Sequence, residues 1–503
     1  MTICVAADLG AESGRVVAGT FDGERLALEE VHRFPNVPVR LGGQLVWDLP
    51  ALVRGVAEGL GAARGRSPGV DSVGVDTWGV DFVLLDRLGR PVGSPVHYRD
   101  ARTEGMVEEL RRRLPPSELY DRTGIQFIPL NSLVQLLAMA DAADPQLEVA
   151  RTFLTIADYV HHWLGAEPAS ERTIASTTQC LGWRDGRWAL DVLDRLGIPS
   201  GMFPAVLEPS TVAGRLSDAG REVSGLGDVP VVLPAAHDTA SAVAGLPAPP
   251  DERAAYISSG TWSLVGVEVP EPVVTPDARA ANLTNEAGAG GTRLLRNLTG
   301  LWLLHQCLQE WRRQGLRLAY EDLGALALEA SPFAAVIDTQ DERFTPPGDV
   351  PGRVAALCRE TGQDPPQTPA ATVRILLEGL ALAYRRILGT IEDVVGWRPE
   401  RVHVVGGGAR NELLCQWTAD ATGLPVCAGP AEATATGNVL VQLLGLGRLG
   451  SLAEGRELVR RSLAVEIRTY EPRPDERWEA AANRLQAGPG PTKGGGNQSV
   501  LRG

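Results

Sequence analysis

The chain has 503 residues, with 48 Lys and Arg against 62 Asp and Glu, which gives a formal net charge of −14. A chain this acidic is a poor partner for nucleic acid or for an anionic membrane surface, and we expect neither. It contains a single lysine, Lys493, in a Gly- and Pro-rich stretch that we predict to be a flexible tail (487–503). Mechanisms that need an ordered lysine are therefore excluded, among them the P-loop, the protein-kinase lysine and Schiff-base chemistry.

Length and composition indicate an ordinary globular protein of roughly two to four domains. No stretch of about 18 uncharged apolar residues is present, so we expect no membrane span. The N-terminal apolar run has no basic residues before it and meets Asp8 early, which argues against a signal peptide. The six cysteines stand far apart without a C-x-x-C motif, which predicts buried, reduced thiols in a cytoplasmic protein.

A β-hairpin is predicted over residues 3–21, with a polar, glycine-bearing tip of sequence DLGAESGR. Asp8, at the end of the first strand, is a candidate to hold a hydrated Mg²⁺, because this hard cation takes carboxylates and keeps several waters. Ser13, Gly14 and Arg15 offer a hydroxyl, a backbone N–H and a guanidinium to phosphoryl oxygens. The alternative is a plain Gly-rich turn.

Residues 72–86 carry Asp76, Trp78, Gly79 and Asp81 within strand-like sequence. Carboxylates that alternate with an indole suit a sugar, whose hydroxyls need hydrogen-bond acceptors and whose C–H face stacks on aromatic rings. A half-buried hairpin is the alternative interpretation.

Two matches to known motifs are dismissed. Residues 65–69 fit G-x-S-x-G, but they follow a helical stretch and contain a proline, so a surface loop is expected. Residues 445–450 fit the dinucleotide pattern G-x-G-x-x-G, but they follow a predicted helix, and we interpret them as its C-terminus.

An apolar strand is predicted directly before His237, Asp238 and Thr239. A carboxylate at a strand end inside a cleft is a candidate general base, able to accept the proton of an attacking hydroxyl. The alternative is that Asp238 and Thr239 cap the helix that follows. The two interpretations are compatible, since a helix start also directs N–H groups at an anion.

The pattern of the first hairpin returns after residue 253, with a tip at 258–263, which indicates an internal duplication. The Pro-rich stretch 245–252 separates the two units. Both halves alternate strand-like and helix-like segments, and strong helices are predicted at 370–394 and 411–421, so the fold class is α/β. We predict an N-terminal domain (1–246), a C-terminal domain (247–486) and the tail (487–503).

Three consecutive glycines, Gly406, Gly407 and Gly408, lie between a predicted strand and a predicted helix. Glycines allow close approach of a ligand to the backbone, and a helix start favours the phosphates of an adenine nucleotide. A tight strand-to-helix turn is the alternative.

Together these segments resemble the FGGY carbohydrate kinases, members of the actin-like ATPase superfamily that bind ATP without a P-loop lysine. The resemblance covers roughly residues 1–470 and rests on these stretches: DLGAESGRV (8–16), HRFPN (32–36), WD (47–48), DSVGVDTWGVDFVLLD (71–86), YRDART (98–103), RTGIQFIPLNSLVQL (122–136), HDTASAV (237–243), AAYISSGTWSLVG (254–266), NLTNE (282–286) and VGGGARN (405–411).

The resemblance implies two actin-like (ribonuclease H-like) domains around a cleft that binds sugar and ATP, in a monomer or small homo-oligomer. It is strongest to family members that phosphorylate L-rhamnulose at O1 during rhamnose breakdown. Carried over, the general base is Asp238; the sugar ligands are Gly79, His237, Asp238, Thr239 and Asn297; the ATP ligands are Ala11, Glu12, Ser13, Gly14, Arg15, Thr261, His305 and Gly407; and Asp8 faces Mg²⁺ through water.

Two positions depart from the family pattern. Glu12 places a carboxylate where a small hydroxyl residue is usual, and His305 stands where a glutamine is expected. Two other functions remain open from the sequence. One is phosphorylation of another ketose, such as xylulose or L-fuculose, and the other is a non-catalytic actin-fold protein, which would be expected to lack Asp238.

Overall fold

The structure is a computed structural model and describes residues 1–66 and 69–486. Two parts of the sequence interpretation lie outside the described residues. They are the tail predicted at 487–503, with Lys493, and the central Ser67 and Pro68 of the G-x-S-x-G match.

The described residues form strands and helices throughout both halves of the chain. The strands are β1 (Thr2–Leu9), β2 (Ser13–Phe21), β3 (Leu26–Pro35), β4 (Val39–Leu41), β5 (Gln44–Val46), β6 (Ser72–Thr77), β7 (Phe82–Leu85), β8 (Thr152–Thr155), β9 (Ser170–Glu171), β10 (Val206–Leu207), β11 (Val212–Arg215), β12 (Pro230–Val232), β13 (Ala254–Ser259), β14 (Trp262–Val269), β15 (Thr284–Gly288), β16 (Gly291–Thr299), β17 (Arg401–Val405), β18 (Val426–Ala428) and β19 (Arg468–Tyr470). The α-helices are α1 (Leu49–Arg66), α2 (Met106–Arg113), α3 (Pro116–Thr123), α4 (Ser132–Asp141), α5 (Pro145–Val149), α6 (Ile156–Leu164), α7 (Arg172–Ser176), α8 (Leu190–Arg195), α9 (Asp218–Ser224), α10 (Asp238–Ala244), α11 (Pro276–Ala280), α12 (Trp302–Arg313), α13 (Leu323–Leu328), α14 (Val350–Glu360), α15 (Pro369–Val395), α16 (Glu412–Thr422), α17 (Ala433–Gly445), α18 (Leu452–Ser462) and α19 (Glu476–Gln486).

Each half of the chain forms one large sheet, and the two sheets share a topology. The N-terminal sheet has six strands in the order β11-β12-β6-β1-β2-β3, and the C-terminal sheet has seven in the order β15-β16-β14-β13-β17-β18-β19. In each sheet a hairpin, β1–β2 or β13–β14, pairs outward with a third antiparallel strand. Its first strand pairs in parallel with β6 or with β17. The repeated topology supports the predicted internal duplication, and the α/β class is confirmed.

The N-terminal sheet is covered on both faces, and its central strand β1 is buried along its whole length. Alternate residues of β1 face opposite sides. Val5 and Ala7 belong to the apolar cluster that contains α1, whereas Cys4 and Ala6 pack with Val439 of α17. Helix α17 comes from the C-terminal half, so the core of the N-terminal sheet is completed by residues far along the chain.

Helix α10 makes the reciprocal contact, because it ends the N-terminal half and packs its Val243 against Tyr256 of the C-terminal sheet. The two exchanged helices, α10 and α17, also pack closely against each other. A Cβ at Gly437 would overlap the carbonyl oxygen of Ser241, so only glycine permits this approach of two backbones. The halves are therefore joined through a tight helix pair that starts at the cleft between them.

Most of the local predictions are confirmed. The first hairpin is present as β1 and β2, and the helices predicted at 370–394 and 411–421 are α15 and α16. The match at 445–450 follows α17, as expected. The interpretation of residues 72–86 as one hairpin is wrong, because β6 pairs with β1 and β12 whereas β7 pairs with β8.

All six cysteines are buried and free of disulfide bonds, as the sequence predicted. Across residues 1–66 and 69–486, no helix combines the length and the apolar character needed to cross a bilayer.

Candidate active site

A cleft with a volume of about 260 Å³ opens between the two halves of the chain. Both hairpin tips, the start of α10 and the glycine turn after β17 line it. Ten of the predicted site residues line this cleft: Asp8, Ala11, Arg15, Gly79, His237, Asp238, Thr239, Thr261, Asn297 and Gly407. The other four, Glu12, Ser13, Gly14 and His305, do not line it directly.

The tip of the first hairpin is held in shape by backbone and side-chain hydrogen bonds. Gly10 N donates to Ser13 O at 3.0 Å and closes the turn. Asn36 Nδ2 donates to Gly10 O at 2.9 Å, and Asn36 N donates to Glu12 O at 3.0 Å. Gly14 faces away from the cleft, since a Cβ there would lie within the ring of Phe34. The tip is therefore preorganised before any ligand binds.

Arg15 is fixed by carboxylates from both halves of the chain. Its Nε and Nη2 donate to Asp8 Oδ2 at 2.8 and 2.6 Å, and its Nη1 forms an ion pair with Glu432, just before α17. Its planar guanidinium can hold both partners at once, which a lysine ammonium could not do with the same geometry. Arg15 is therefore the cation that the cleft offers to an anionic ligand.

The carboxylates near Arg15 outnumber its single positive charge. Asp8 of β1 lies beside Asp76 of β6 in the register of these two parallel strands. Asp76 is fully buried; its Oδ2 accepts from Asn438 Nδ2 at 2.5 Å, and its Oδ1 has no partner among the described residues. Burial, together with the charge of Asp8, raises the pKa of Asp76 well above its ordinary value and also raises the pKa of Asp238.

This surplus of negative charge fits a divalent cation. Within the described parts of the chain, no group of three or more His, Cys, Asp or Glu side chains is arranged to hold a metal ion. The donor set instead fits a cation that keeps most of its own waters and is anchored by Asp8.

Asp238 is the first residue of α10, and its carboxylate is 30% exposed in the cleft. The expected alternative, an Asp-Thr cap, is wrong: His237 occupies the N-cap position and no side chain caps the helix. Thr239 Oγ1 donates to Asp238 Oδ1 at 3.1 Å. Burial is the main cause of the raised pKa of Asp238, which makes the carboxylate a stronger base than an ordinary aspartate.

His237 links this carboxylate to a buried ion pair in the C-terminal sheet. Arg293 Nη2 lies 3.0 Å from His237 Nδ1 and 3.0 Å from Glu286 Oε2. His237 Nδ1 also lies 3.2 Å from Glu286 Oε2, and the other ring nitrogen, Nε2, lies 3.4 Å from Asp238 Oδ1. The Arg293 charge holds the pKa of Glu286 below its ordinary value although burial opposes ionisation.

The wall beside Asp238 combines backbone and amide groups. A Cβ at Gly79 would lie 2.9 Å from Thr177 Oγ1, so glycine is required for this close approach. Val80, the next residue, has a φ of 69° and donates its N–H to Thr177 Oγ1 at 3.2 Å. Across the cleft, Asn297 donates both N and Nδ2 to Gln126 Oε1, at 3.1 and 3.3 Å. These groups suit hydroxyls of a small polar ligand.

The three glycines after β17 have different roles. Gly406 has a φ of 78°, and a Cβ there would lie 2.9 Å from Ser259 O. A Cβ at Gly408 would overlap the Ser259 side chain, whereas one at Gly407 would meet nothing within 4 Å. Gly406 and Gly408 therefore pack the turn against β13, and Gly407 leaves space in the cleft.

Glu12 and His305, the two residues that depart from the family pattern, lie together at the mouth of the cleft. Glu12 Oε1 accepts from Thr261 Oγ1 at 3.1 Å and is 3.6 Å from His305 Nδ1. The close approach of the His305 ring is the main cause that lowers the pKa of Glu12. These contacts connect the tips of the two hairpins.

The expectation that Asp76 and Asp81 face a sugar is wrong. Asp81 is fully buried and accepts from Trp47 Nε1 at 2.6 Å, from Trp78 Nε1 at 3.0 Å and from Gln135 Nε2 at 3.1 Å. Burial raises its pKa to about 6. Asp81 thus organises the indoles behind the cleft. Of the four residues singled out in this segment, Trp78 and Gly79 line the cleft.

Several residues in the cleft or next to it were missed by sequence reasoning. Gln126 and Glu286 fall inside quoted stretches, but nothing in the stretches indicated which side chains point into the cleft. Arg293 and Glu432 had no signal at all, because isolated charged residues in strand or loop sequence are usually solvent-exposed.

The repeated sheets and the cleft between them define an actin-like two-domain α/β fold. A xylulose kinase from Lactobacillus acidophilus has this fold, with a TM-score of 0.77 at 15% identity, covering 97% of this chain and 96% of the other. A glycerol kinase from Plasmodium falciparum with ADP has a TM-score of 0.76 at 16% identity, covering 96% and 97%.

Sequence models of the FGGY family of carbohydrate kinases match most of the chain, the N-terminal domain at residues 3–245 and the C-terminal domain at 255–446. The chain belongs to the FGGY family of carbohydrate kinases. A rhamnulokinase from Bacteroides thetaiotaomicron is 41% identical over 477 residues, 95% of this chain and 97% of that protein. A rhamnulokinase from Pectobacterium carotovorum is 40% identical over 490 residues, 96% of each chain.

Membership confirms the predicted family and activity class. A kinase of this family acts on a small-molecule sugar and on ATP, and works with a divalent metal ion. The individual site residues stay predictions.

Proposed function

We propose that the protein transfers the γ-phosphoryl group of ATP to O1 of L-rhamnulose, with Asp238 as the general base. The observation that carries the proposal is that the carboxylate of Asp238 has a raised pKa and lines the cleft. The chain that carries it is 41% identical to a rhamnulokinase over 95% of its length. The proposed products are L-rhamnulose 1-phosphate and ADP.

Asp238 accepts the O1 proton as the bond from O1 to the γ-phosphorus forms and the bond from that phosphorus to the β,γ-bridging oxygen breaks. His237 Nε2, 3.4 Å from Asp238 Oδ1, is placed to donate a hydrogen bond to the ionised carboxylate before the reaction. Gly79, Thr239 and Asn297 are the proposed sugar ligands, and the polar wall around them supports this assignment.

Arg15 and backbone N–H groups of the first hairpin tip are the proposed phosphate ligands, with Thr261 of the second tip opposite. Arg15 must then exchange one carboxylate partner for a phosphoryl oxygen, which it can also bind in a bidentate manner. The open space at Gly407 suits the nucleotide. Ser13 and Gly14 are proposed to contact ATP through their backbone, and His305 is proposed to contact it at the mouth of the cleft.

The proposed metal is Mg²⁺, and Asp8 would hold it through water. When bound with ATP, it neutralises charge on the phosphate oxygens. The surplus carboxylates around Asp8 support a cation here. Without one, the charge of Asp8 opposes ionisation of Asp76 and Asp238, and it adds to burial in raising their pKa values.

The test is coupled ADP release by the purified protein with Mg²⁺ and ATP over a panel of L-rhamnulose, L-fuculose and xylulose. Phosphorus NMR of the product would identify the phosphorylated oxygen. We expect the highest kcat/KM with L-rhamnulose and a 1-phosphate product. A higher kcat/KM with another ketose would refute the substrate, and the absence of sugar-dependent ADP would refute the proposed function.

A further inference from the structure

Glu171, at the end of β9, is a buried carboxylate next to the cleft that the mechanism above does not use. Its Oε2 accepts from Ala236 N at 3.0 Å, from Ile174 N at 3.1 Å and from Thr173 Oγ1 at 2.5 Å. Its Oε1 accepts from Thr173 N at 2.9 Å. Every group that faces Glu171 in these contacts is a donor, so an ionised carboxylate satisfies all of them.

Thr173 holds the residue that follows Ala236, which is His237. Its Oγ1 donates to Glu171 and accepts from His237 N at 3.2 Å. The N–H groups of Ala236 and His237, the two residues before Asp238, are therefore both held by side chains. Neither N–H belongs to a strand or to the hydrogen bonds of α10. The carbonyl groups of the same two residues are held separately, since Ala236 O accepts from Thr77 N of β6 at 2.9 Å and His237 O accepts from Ser241 N of α10 at 3.0 Å. The two side chains therefore hold the N–H side of the segment just before the proposed base.

Glu171 is itself held by a second buried carboxylate, that of Asp158. Glu171 N donates to Asp158 Oδ1 at 2.9 Å, and Thr155 Oγ1 donates to Asp158 Oδ2 at 2.7 Å. Asp158 and Thr155 lie at the start of α6, and this helix packs on β6 of the N-terminal sheet. The path of hydrogen bonds thus runs from the core of the N-terminal half to the segment that carries Asp238.

We propose that Glu171 and Thr173 are positioning residues, which hold the backbone of Ala236 and His237 so that the Asp238 carboxylate is aimed at the acceptor hydroxyl. This rests on the proposed role of Asp238. Neither residue contacts the cleft-bound ligands in the proposed mechanism, so their effect acts through the geometry of the base. A displacement of about 1 Å at a reacting group costs on the order of 100-fold in rate.

The test compares Thr173→Val, which removes the hydroxyl at nearly constant volume, with Thr173→Ser, which keeps it. We expect Thr173→Val to lower kcat about 10- to 100-fold with an unchanged KM for ATP, and Thr173→Ser to restore kcat to within about threefold. The control is Thr372→Val. That threonine is also buried, and its hydroxyl donates only within its own helix, to Thr368 O at 3.2 Å. Thr173→Ala serves as a second variant where Thr173→Val does not fold.

Hydrogen–deuterium exchange over residues 233–238 gives a readout independent of activity. We expect faster amide exchange in Thr173→Val than in Thr173→Ser, because His237 N–H loses its acceptor. Equal kcat and equal exchange in the two variants, with an active unmodified protein, would overturn the inference. An unmodified protein without sugar-dependent ADP release would instead refute the proposed function, and amide exchange would still show whether Thr173 holds the segment.

Discussion

Replacing Asp238 with Asn removes the proposed proton acceptor and preserves the shape of the side chain. General-base catalysis contributes about 10²- to 10⁴-fold, so kcat should fall by that factor. The Asn amide can still hydrogen-bond a sugar hydroxyl, and the contacts of Gly79 and Asn297 are untouched. The KM for the ketose should therefore change by no more than about threefold, because the substitution removes the proton acceptor and leaves the groups that bind the ketose.

The same substitution has a defined effect on stability. Burial and the charge of Asp8 raise the pKa of Asp238 in the folded protein. A group whose pKa is raised by folding stabilises the protein below its unfolded-state pKa, and this contribution is lost as pH rises through the folded value. Ionised Asp238 thus costs stability at pH 8, and Asp238→Asn should melt at the same temperature or higher there. The difference should shrink as pH falls and the aspartate protonates.

The assay is coupled ADP release with saturating ATP, together with thermal melts at pH 5 and pH 8. Asp218→Asn is the matched control, since that side chain is 96% exposed at the start of α9. It should leave both kcat and KM unchanged. Near-normal kcat in Asp238→Asn would refute Asp238 as the base. A fall in melting temperature at pH 8 would show that the loss of activity reflects damaged structure.

Five further substitutions, in three groups, test other parts of the cleft. Arg15→Lys should lower kcat/KM for ATP about 10-fold, because an ammonium cannot replace the forked contacts to Asp8 and Glu432; an unchanged value would remove Arg15 from phosphate binding. Gly407→Ala should raise the KM for ATP without lowering the melting temperature, whereas Gly408→Ala should lower the melting temperature because its Cβ overlaps Ser259; the opposite pattern would contradict the assigned roles. Glu12→Gln and His305→Gln should be non-additive in the KM for ATP, by a factor of up to about five, as expected for two partly exposed polar side chains in contact; strict additivity would show that they do not interact.

The sequence predicted those features that depend on local pattern. Both hairpins, the long helix α15 and the position of Asp238 after an apolar strand all follow from strand or helix periodicity over neighbouring residues. The duplication was detectable because the two hairpin tips repeat the same arrangement of polar and glycine residues. The resemblance to a family then supplied roles for Asn297 and Gly79, which periodicity could not reveal.

The failures concern side chains whose partners lie far away in the chain. Asp81 looks like a sugar ligand in sequence, but its partners Trp47 and Gln135 are 34 and 54 residues distant and enclose it completely. Glu171 reaches Ala236 across 65 residues, and Asp76 reaches Asn438 across 362. No local pattern encodes such pairs, so a buried structural carboxylate and a catalytic one cannot be distinguished before the fold is known.

Residues 1–66 and 69–486 contain no lysine, and the charged groups of the cleft are held by contacts between its two halves. Arg15 comes from the N-terminal hairpin and Glu432 from the start of α17, while His237 meets Arg293 on β16 of the C-terminal sheet. A motion that separates α10 from β16 must break the contact between His237 and Arg293, and one that separates the first hairpin from α17 must break the ion pair of Arg15. The orientation of the proposed base and of the proposed phosphate ligand therefore both depend on the same closed arrangement. A flexible lysine would give no such dependence, because its single charge on a long stem can follow a phosphate without fixed partners.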